Sequence, residues 1–366
     1  MEYHRLGDYI RPVDVRNRDL KVNLSQGICN AKYFQNPKQV ADNPETHKVV
    51  RTGQFAYNRA TTRNGEKISI ALREGPDCTV SSAYQVFEIV DENQLDPKYL
   101  MMWFKRPEFD RLAIYYSHGS AHEFFEWDAM CDVKLPVPPI ARQREIVAEY
   151  ETLSNRIRLN EQMIEKLEAT AQALYCKMFV DGVDMERLPE GWRKGTLGEV
   201  ANCLDYKRRP LSEEERKPMK GIYPYYGAMS LVDHINKYIF DGTYLLFSED
   251  GANVIDEFGH PALQYLWGKF WVNNHAHVLQ GNEMVSTEYL YLTLKGVNAT
   301  HLVTGAAQPK INQENMNSIQ LVVPTKKEME EFNQNVEHIF HLYKLKTEEN
   351  SKLTELQSFL LARMGK

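Results

Sequence analysis

The sequence contains no run of eighteen or more apolar residues, so it predicts no membrane-spanning helix. Its first residues lack the basic and apolar regions of a secretory signal peptide. We therefore expect a cytoplasmic protein that does not associate with a membrane. The cysteines are odd in number and scattered, and none forms a C-x-x-C pair, so the pattern indicates neither a disulfide framework nor a zinc site. They are Cys29, Cys78, Cys131, Cys176 and Cys203.

Motifs of catalysis and cofactor binding are also missing. There is no phosphate-binding G-x-x-x-x-G-K-[ST], no G-x-G-x-x-G after a strand, and no Asn-Pro-Pro-Tyr or Asp-Pro-Pro-Tyr of an amino-methyltransferase. H-E-x-x-H and G-x-S-x-G are absent too. The pair His275 and His277 has no evident third metal ligand, and Glu249-Asp250 beside Gly251 is typical of an acidic turn. We predict no active site, no metal site and no cofactor in this chain.

The net charge of −6 over 366 residues argues weakly against a nucleic-acid partner. No long segment has a strong excess of basic residues. A DNA-binding surface would have to arise locally, for example at Lys207-Arg208-Arg209, with acidic side chains turned elsewhere. Charge alone therefore leaves the question open.

The most regular feature is a long helical pattern after Leu135-Pro136-Val137-Pro138. Its apolar positions recur in alternating steps of four and three, with Asn160 in one gap, which is the heptad repeat of a helix that packs along a partner helix. These positions are Ile146, Tyr150, Leu153, Ile157, Ile164, Leu167, Ala171, Leu174 and Met178.

The same pattern recurs 186 residues later without a gap. At the start of the pattern, Leu135, Val137 and Pro138 match Leu321, Val323 and Pro324. Near its end, four residues match in the same way: Lys166, Leu167, Leu174 and Met178 match Lys352, Leu353, Leu360 and Met364. The chain is therefore predicted to be an internal duplication.

The duplication divides the chain into two globular domains, residues 1–134 and 181–320, and two helical segments, residues 135–180 and 321–366. The first domain has strand-like stretches at 49–57, 67–72 and 79–90, and Asp96-Pro97 is typical of a helix start. We predict an α+β fold: two mixed α/β domains joined by two long helices that form an intramolecular antiparallel coiled coil with pseudo-two-fold symmetry.

Polar residues interrupt the helical seam, and two interpretations remain open for them. Asn160 could face Asn350 and fix the register of the helix pair, as buried amides do in coiled coils. Alternatively, the polar residues lie at a partly exposed, mobile centre of the pair.

Several segments together resemble a known family. They are the duplicated layout, Leu135-Pro136-Val137-Pro138-Pro139 with Gln143-Arg144-Glu145-Ile146, Gly305-Ala306-Ala307-Gln308-Pro309-Lys310-Ile311-Asn312 running on to Leu321-Val322-Val323-Pro324, Leu188-Pro189-Glu190-Gly191-Trp192, and Phe55-Ala56-Tyr57-Asn58-Arg59. On these residues, the chain resembles the specificity (S) subunit of type I restriction–modification systems over essentially its whole length.

The resemblance implies a non-catalytic protein in which each domain is a target-recognition domain for one half of a bipartite double-stranded DNA site. The helices would act as the spacer between the two half-sites. It further implies docking to two methyltransferase (modification) subunits, which carry S-adenosylmethionine, and to restriction/translocase subunits, which use ATP and Mg. One departure is that the first domain has His118-Gly119-Ser120-Ala121-His122 where the second has Gly-Ala-Ala-Gln-Pro-Lys.

DNA recognition requires donors and acceptors that reach base edges and cations that reach phosphates. In the first domain the candidates for DNA binding are Arg51, Asn58, Arg59, Thr61, Arg63, Ser82, His118, Ser120 and His122. In the second domain they are Lys207, Arg208, Arg209, Tyr226, Ser248, Asn253, Asn273, Asn274, Gln308 and Lys310. Tyr57 and Tyr84 alternate within strand-like runs, so we expect them in the core.

Two alternatives to DNA recognition belong to other classes. A coiled-coil scaffold whose end domains bind other proteins fits the acidic net charge, whereas the Lys-Arg-Arg run and the Gln-Pro-Lys loop favour DNA. A self-sufficient modification enzyme is disfavoured because the cofactor and methyltransferase motifs are missing.

Overall fold

The computed structural model describes residues 2–37, 43–60, 67–117, 123–228, 230–251, 254–305 and 308–365. The chain forms two compact units. Unit 1 comprises Met1–Asn160 and Glu348–Lys366, and unit 2 comprises Glu161–Thr347.

Unit 1 combines short strands with helices in its described part. The strands are β1 (Tyr3–Arg5), β2 (Ile10–Val13), β3 (Gly27–Ile28), β4 (Phe34–Gln35), β5 (Lys48–Val50), β6 (Phe55–Asn58), β7 (Ile70–Leu72), β8 (Cys78–Val80), β9 (Tyr84–Ile89) and β10 (Lys134–Pro136). The helices are α1 (Pro97–Phe104), α2 (Pro107–Tyr115), α3 (Trp127–Cys131) and the start of the long helix α4 (Ile140–Phe179).

The main sheet of unit 1 has the order β2-β9-β6-β7 with antiparallel pairs. Its buried face presents Phe55 and Phe87, whose rings stack at 4.9 Å, against Phe104 of α1. Helix α1 begins where the sequence predicts, because the Asp96 carboxylate accepts hydrogen bonds from the backbone NH groups of Lys98 and Tyr99. Tyr57 is completely buried, which confirms its expected place in the core.

Unit 2 has a larger sheet. Its strands are β11 (Arg193–Thr196), β12 (Ala201–Cys203), β13 (Lys220–Tyr226), β14 (Leu231–Ile235), β15 (Phe240–Ser248), β16 (Leu263–Val272), β17 (Ala276–Gly281) and β18 (Gln320–Val323). Its helices are α5 (Leu197–Val200), α6 (Glu213–Arg216), α7 (Thr287–Lys295), α8 (Gln313–Asn317) and the start of the long helix α9 (Lys326–Arg363).

The unit 2 sheet has the order β12-β17-β15-β16-β13-β14. Only β13 and β16 pair in parallel among its described strands. The core lies between this sheet, α7 and the long helices, where Phe179, Tyr289 and Phe332 pack edge to face with centroids 5.1–5.9 Å apart. Strands β12 and β15 end beside the start of β17, and the segments that adjoin them build the site described below.

The long helices pack against each other, and each contributes one part to each unit. In unit 1 the Gln357 amide donates to the Ser154 hydroxyl at 2.7 Å, and Arg156 forms an ion pair with Glu349 at 2.6 Å. Residue numbers rise along one helix as they fall along the other, so the pair is antiparallel. Every seam position predicted on α4 is buried or half-buried, which confirms the heptad pattern.

Asn160 faces Asn350 within unit 1. The Asn160 Nδ2 group donates to the Asn350 Oδ1 atom at 2.9 Å, and Asn350 Nδ2 donates to the Ile157 carbonyl at 3.3 Å. Asn160 is only 2% exposed. Of the two interpretations left open by the sequence, the structure has the paired amides.

The duplication is visible in corresponding elements. Strand β10 pairs with β1 in unit 1, as β18 pairs with β11 in unit 2. The Tyr99 hydroxyl donates to the Pro136 carbonyl at 3.1 Å, and the Tyr289 hydroxyl donates to the Val322 carbonyl at 2.7 Å. Together with the packed long helices, these repeats confirm the predicted α+β class. No helix among the described residues is both long and apolar enough to cross a membrane.

Candidate nucleic-acid interface

The segment that follows β12 in unit 2 is fixed from the inside by Asp205 and Arg208. Residues Asp205–Lys207 form one turn of 3-10 helix, in which side chains three residues apart lie on the same side. Both side chains therefore point inward, where Arg208 Nη2 lies 3.0 Å from Asp205 Oδ2. Arg208 Nη1 also donates to the Ala276 carbonyl at 2.7 Å.

Glu249, which follows the last residue of β15, joins this segment to Lys310. Its Oε2 atom lies 2.7 Å from Arg208 Nη1, and its Oε1 atom lies 2.8 Å from Lys310 Nζ. Burial opposes ionisation of Glu249, but hydrogen bonds from Lys310 and Arg208 outweigh it and hold the pKa of Glu249 below its ordinary value. The hydrogen bond between Lys310 and Glu249 in turn raises the pKa of Lys310.

His277 completes the network from β17. Its Nδ1 atom lies 2.5 Å from Asp205 Oδ2, and its Nε2 atom lies 2.9 Å from the Ile311 carbonyl oxygen. Burial alone would raise the pKa of Asp205, yet the hydrogen bonds from His277 and from the Val278 NH, with the charge of Arg208, keep it lowered. We call Asp205, Arg208, Glu249 and His277 the ionic network.

The structure brings Cys203 and Asp205 to His277, with their potential ligand atoms within 4.8 Å of one another. No motif in the sequence connects Cys203 or Asp205 with His277. However, both His277 nitrogens already face protein acceptors, and the Asp205 carboxylate already forms an ion pair with Arg208. Burial also raises the pKa of the Cys203 thiol to about 11, which keeps it protonated. The arrangement suits a hydrogen-bonded network better than a metal centre.

The ionic network buries acidic groups and leaves cations at the surface. The Asp205 and Glu249 side chains are only 11% and 13% exposed, whereas the Lys310 side chain is 45% exposed. The exposed residues that surround the network form what we call the basic rim: Lys207, Arg209, Asn274, Gln308 and Lys310. The rim therefore offers cations and amides to a partner, while the nearby carboxylates of the network face the interior.

Other predicted residues of unit 2 serve the fold. Ser248 is completely buried, and Arg208 is enclosed in its ion pairs, so the structure argues against a direct DNA contact by either one. Tyr226 is half-buried and packs edge to face on Phe270. The Asn273 side chain accepts a hydrogen bond from the His275 NH group at 2.9 Å.

Three predicted residues of unit 1 lie at the corresponding end of its sheet. Asn58 ends β6 and pairs with Tyr84, so Asn58, Arg59 and Ser82 share one edge. The Arg59 side chain is 39% exposed, and its guanidinium group lies 3.3 Å from Glu126 and 5.7 Å from the Phe124 ring centre. Arg51 precedes β6 and therefore lies at the other end of that strand.

Six predicted contact residues lie outside the described residues, and their placement stays a prediction. They are Thr61, Arg63, His118, Ser120, His122 and Asn253.

The two units build this edge on the same backbone frame. Phe125 NH donates to the Arg59 carbonyl at 2.9 Å, and Ile311 NH donates to the Glu249 carbonyl at 2.9 Å. Arg59 thus occupies the position that Glu249 occupies in unit 2. The two units therefore share a backbone frame at this edge but place side chains of opposite charge at the same position.

Comparisons with known proteins agree with this architecture. Residues 28–169 and 189–357 match the family model described as type I restriction modification DNA specificity domain. Over 144 residues the chain is 32% identical to a putative type I restriction enzyme specificity subunit, S.HindORF215P of Haemophilus influenzae. That match covers 38% of this chain and 36% of the relative's length.

A solved structure shares the fold. The crystal structure of a type I restriction-modification S subunit from M. genitalium superposes with a TM-score of 0.59 at 15% identity, and the match covers 100% of this chain and 96% of that one. The two family matches together span most of the sequence, one in each half of the duplication. The chain belongs to the type I restriction modification DNA specificity family.

Proposed function

We propose that this chain is the non-catalytic DNA-recognition subunit of a type I restriction–modification complex. Each unit would read one half of a bipartite double-stranded target, and the two long helices would set the unread spacer. The chain would dock two adenine methyltransferase subunits, which bind S-adenosylmethionine, and restriction/translocase subunits, which use ATP and Mg.

The observation that supports DNA binding most directly is the basic rim over the ionic network. DNA presents a dense array of phosphates, and cations that neutralise them supply most of the non-specific affinity. Because Asp205 and Glu249 are buried, this part of an otherwise acidic chain presents Lys207, Arg209 and Lys310 to solvent. Local arrangement thus answers the objection raised by the net charge of −6.

The proposal that the chain has no catalytic role rests on the ionic network, whose polar groups already have partners within the protein. Asp205, Glu249 and His277 are held by Arg208, Lys310 and backbone groups, and they join β12, β15 and β17. Such a set stabilises loops and the surface above them. Methylation and cleavage chemistry is therefore assigned to the partner subunits.

The salt dependence of DNA binding tests the proposal. We would titrate a fluorescent duplex of about 40 base pairs with the full chain at several salt concentrations. Each phosphate neutralised contributes about −0.9 to the slope of log K against log salt. The double variant Lys207→Gln/Arg209→Gln should therefore make the slope shallower by about 2.

Lys326→Gln is the matched control, because that lysine side chain is 88% exposed in the same unit but lies at the first residue of α9. It should leave the slope unchanged. A wild-type chain with no salt-dependent binding, or a double variant with the wild-type slope, would contradict the proposal and favour a scaffold that binds proteins.

A further inference from the structure

The segment from Leu204 to Leu211 in unit 2 is pinned at four points along its length. Asp205 Oδ1 accepts from the Val278 NH at 2.9 Å, and Arg208 donates to the Ala276 carbonyl at 2.7 Å. The Arg209 carbonyl accepts from the Trp271 indole at 2.7 Å, and the Leu211 NH donates to the Tyr225 hydroxyl at 3.0 Å. The backbone of this segment is therefore held in one conformation.

The pinned backbone holds Tyr206 out toward solvent. Its side chain lies between the inward-pointing Asp205 and the exposed Lys207, and the residue is 77% exposed. Its ring centre is 5.7 Å from Lys207 Nζ. Among the described residues, no hydrogen bond engages the Tyr206 hydroxyl, so folding uses neither the ring nor the hydroxyl to any large extent.

A rigid, exposed tyrosine is well suited to binding. A tyrosine loses little conformational entropy on contact, and the fixed backbone removes the further cost of ordering a loop. Tyrosine is accordingly enriched among residues that dominate binding energy. Tyr206 combines an apolar ring with a hydroxyl that can donate or accept.

The neighbours of Tyr206 indicate what it would contact. Lys207 and Arg209 are exposed cations of the basic rim, and cations on phosphates fix position without sequence information. Base edges in the major groove offer donors, acceptors and the thymine methyl group. A tyrosine beside such cations can meet these groups with its hydroxyl and its ring.

We propose that Tyr206 is a specificity-determining residue, which contacts base edges in the half-site recognised by unit 2 while Lys207 and Arg209 hold flanking phosphates. Tyr206 is absent from the contact residues predicted from the sequence, because an aromatic residue beside a basic run is no sign of exposure. This inference rests on the proposed function and names one contact of the same surface.

The test uses the full chain with its modification subunits on a DNA library randomised in both half-sites. Methylated molecules are sequenced to give the preference at each position. Tyr206→Ala should reduce discrimination about tenfold or more at one or two positions of one half-site and leave the other half unchanged. Tyr206→Phe removes only the hydroxyl, so it should retain the share of the discrimination that depends on contact with the ring.

Phe258→Ala is the matched control, since that ring is 68% exposed in unit 2 on a turn fixed by Asp256. It should leave all preferences unchanged. Equal weakening at every position, or unchanged preferences with both Tyr206 variants, would overturn the inference while the proposed function stands. A wild-type complex that methylates without any sequence preference would overturn both.

Discussion

Replacing either Asn160 or Asn350 alone with leucine should destabilise the helix pair of unit 1 more than replacing both. In the single variant Asn160→Leu, the Asn350 Oδ1 atom loses the donor that lies 2.9 Å away, in a seam where residue 160 is only 2% exposed. Leaving a buried polar group unpaired costs about 1–3 kcal/mol. Burial of the added leucine offsets about 1 kcal/mol of that cost.

In the double variant neither side chain carries a polar group, so the unpaired-group cost disappears. Because each single variant carries one unpaired-group cost of about 1–3 kcal/mol and the double variant carries none, the two single losses should sum to about 2 kcal/mol or more above the loss in the double variant. This coupling energy is the part of the free energy that belongs to the pair rather than to either residue.

Hydrogen-exchange mass spectrometry measures this coupling energy within the helix pair itself. Peptides from 150–160 and 348–357 report the free energy of opening of the helix pair in unit 1, separately from the rest of the chain. Additivity of the two single variants within about 0.3–0.5 kcal/mol would refute the paired-amide account.

Three further predictions concern the core and the ionic network. Gln143 is completely buried and makes three hydrogen bonds, so Gln143→Leu should destabilise unit 1 by about 2–3 kcal/mol in urea unfolding. Tyr99→Phe and Tyr289→Phe each remove one buried bond to a backbone carbonyl, and each should cost about 1 kcal/mol in its own unit by the same measurement. Because the pKa values of Asp205 and Glu249 are lowered in the folded state, their contribution to stability is present above their ordinary pKa values of 3.8 and 4.5, and thermal unfolding should show its loss as the pH falls below them.

Each of these predictions has an outcome that would contradict it. Met329 occupies the position in α9 that Gln143 occupies in α4, and Met329→Leu should be nearly neutral. A similar small loss for Gln143→Leu would show that its hydrogen bonds contribute little. An unchanged free energy of unfolding in Tyr99→Phe or Tyr289→Phe would argue against the hydrogen bonds of these tyrosines. A loss of stability at low pH that is the same in Arg208→Gln as in the wild type would argue against the ionic network.

The features predictable from the sequence are those with short-range periodicity. The heptad positions of α4 follow from steps of three and four residues along a helix. The helix start at Asp96-Pro97 follows from local capping chemistry. These depend on neighbours in the sequence, so a single chain displays them.

The ionic network was not predictable in the same way. His277 and Asp205 are 72 residues apart in the sequence, and Glu249 and Arg208 are 41 apart. They come into contact through the order of the strands in the sheet, which the sequence pattern does not reveal. Arg208 belongs to a run of three basic residues, yet the 3-10 turn directs it inward beside Asp205 and leaves Lys207 and Arg209 outside. The basic run in the sequence therefore points to this segment but does not separate its inward and outward side chains.

The most direct test of the central claim is a genome-wide map of methylated adenines, in strains with and without this gene and with an active modification subunit in both. The account predicts that one split motif loses its methylation when the gene is removed. Exchange of residues 1–134 for the corresponding domain of a relative should then alter only one half of that motif. An unchanged set of methylated sites after removal of the gene would contradict the account.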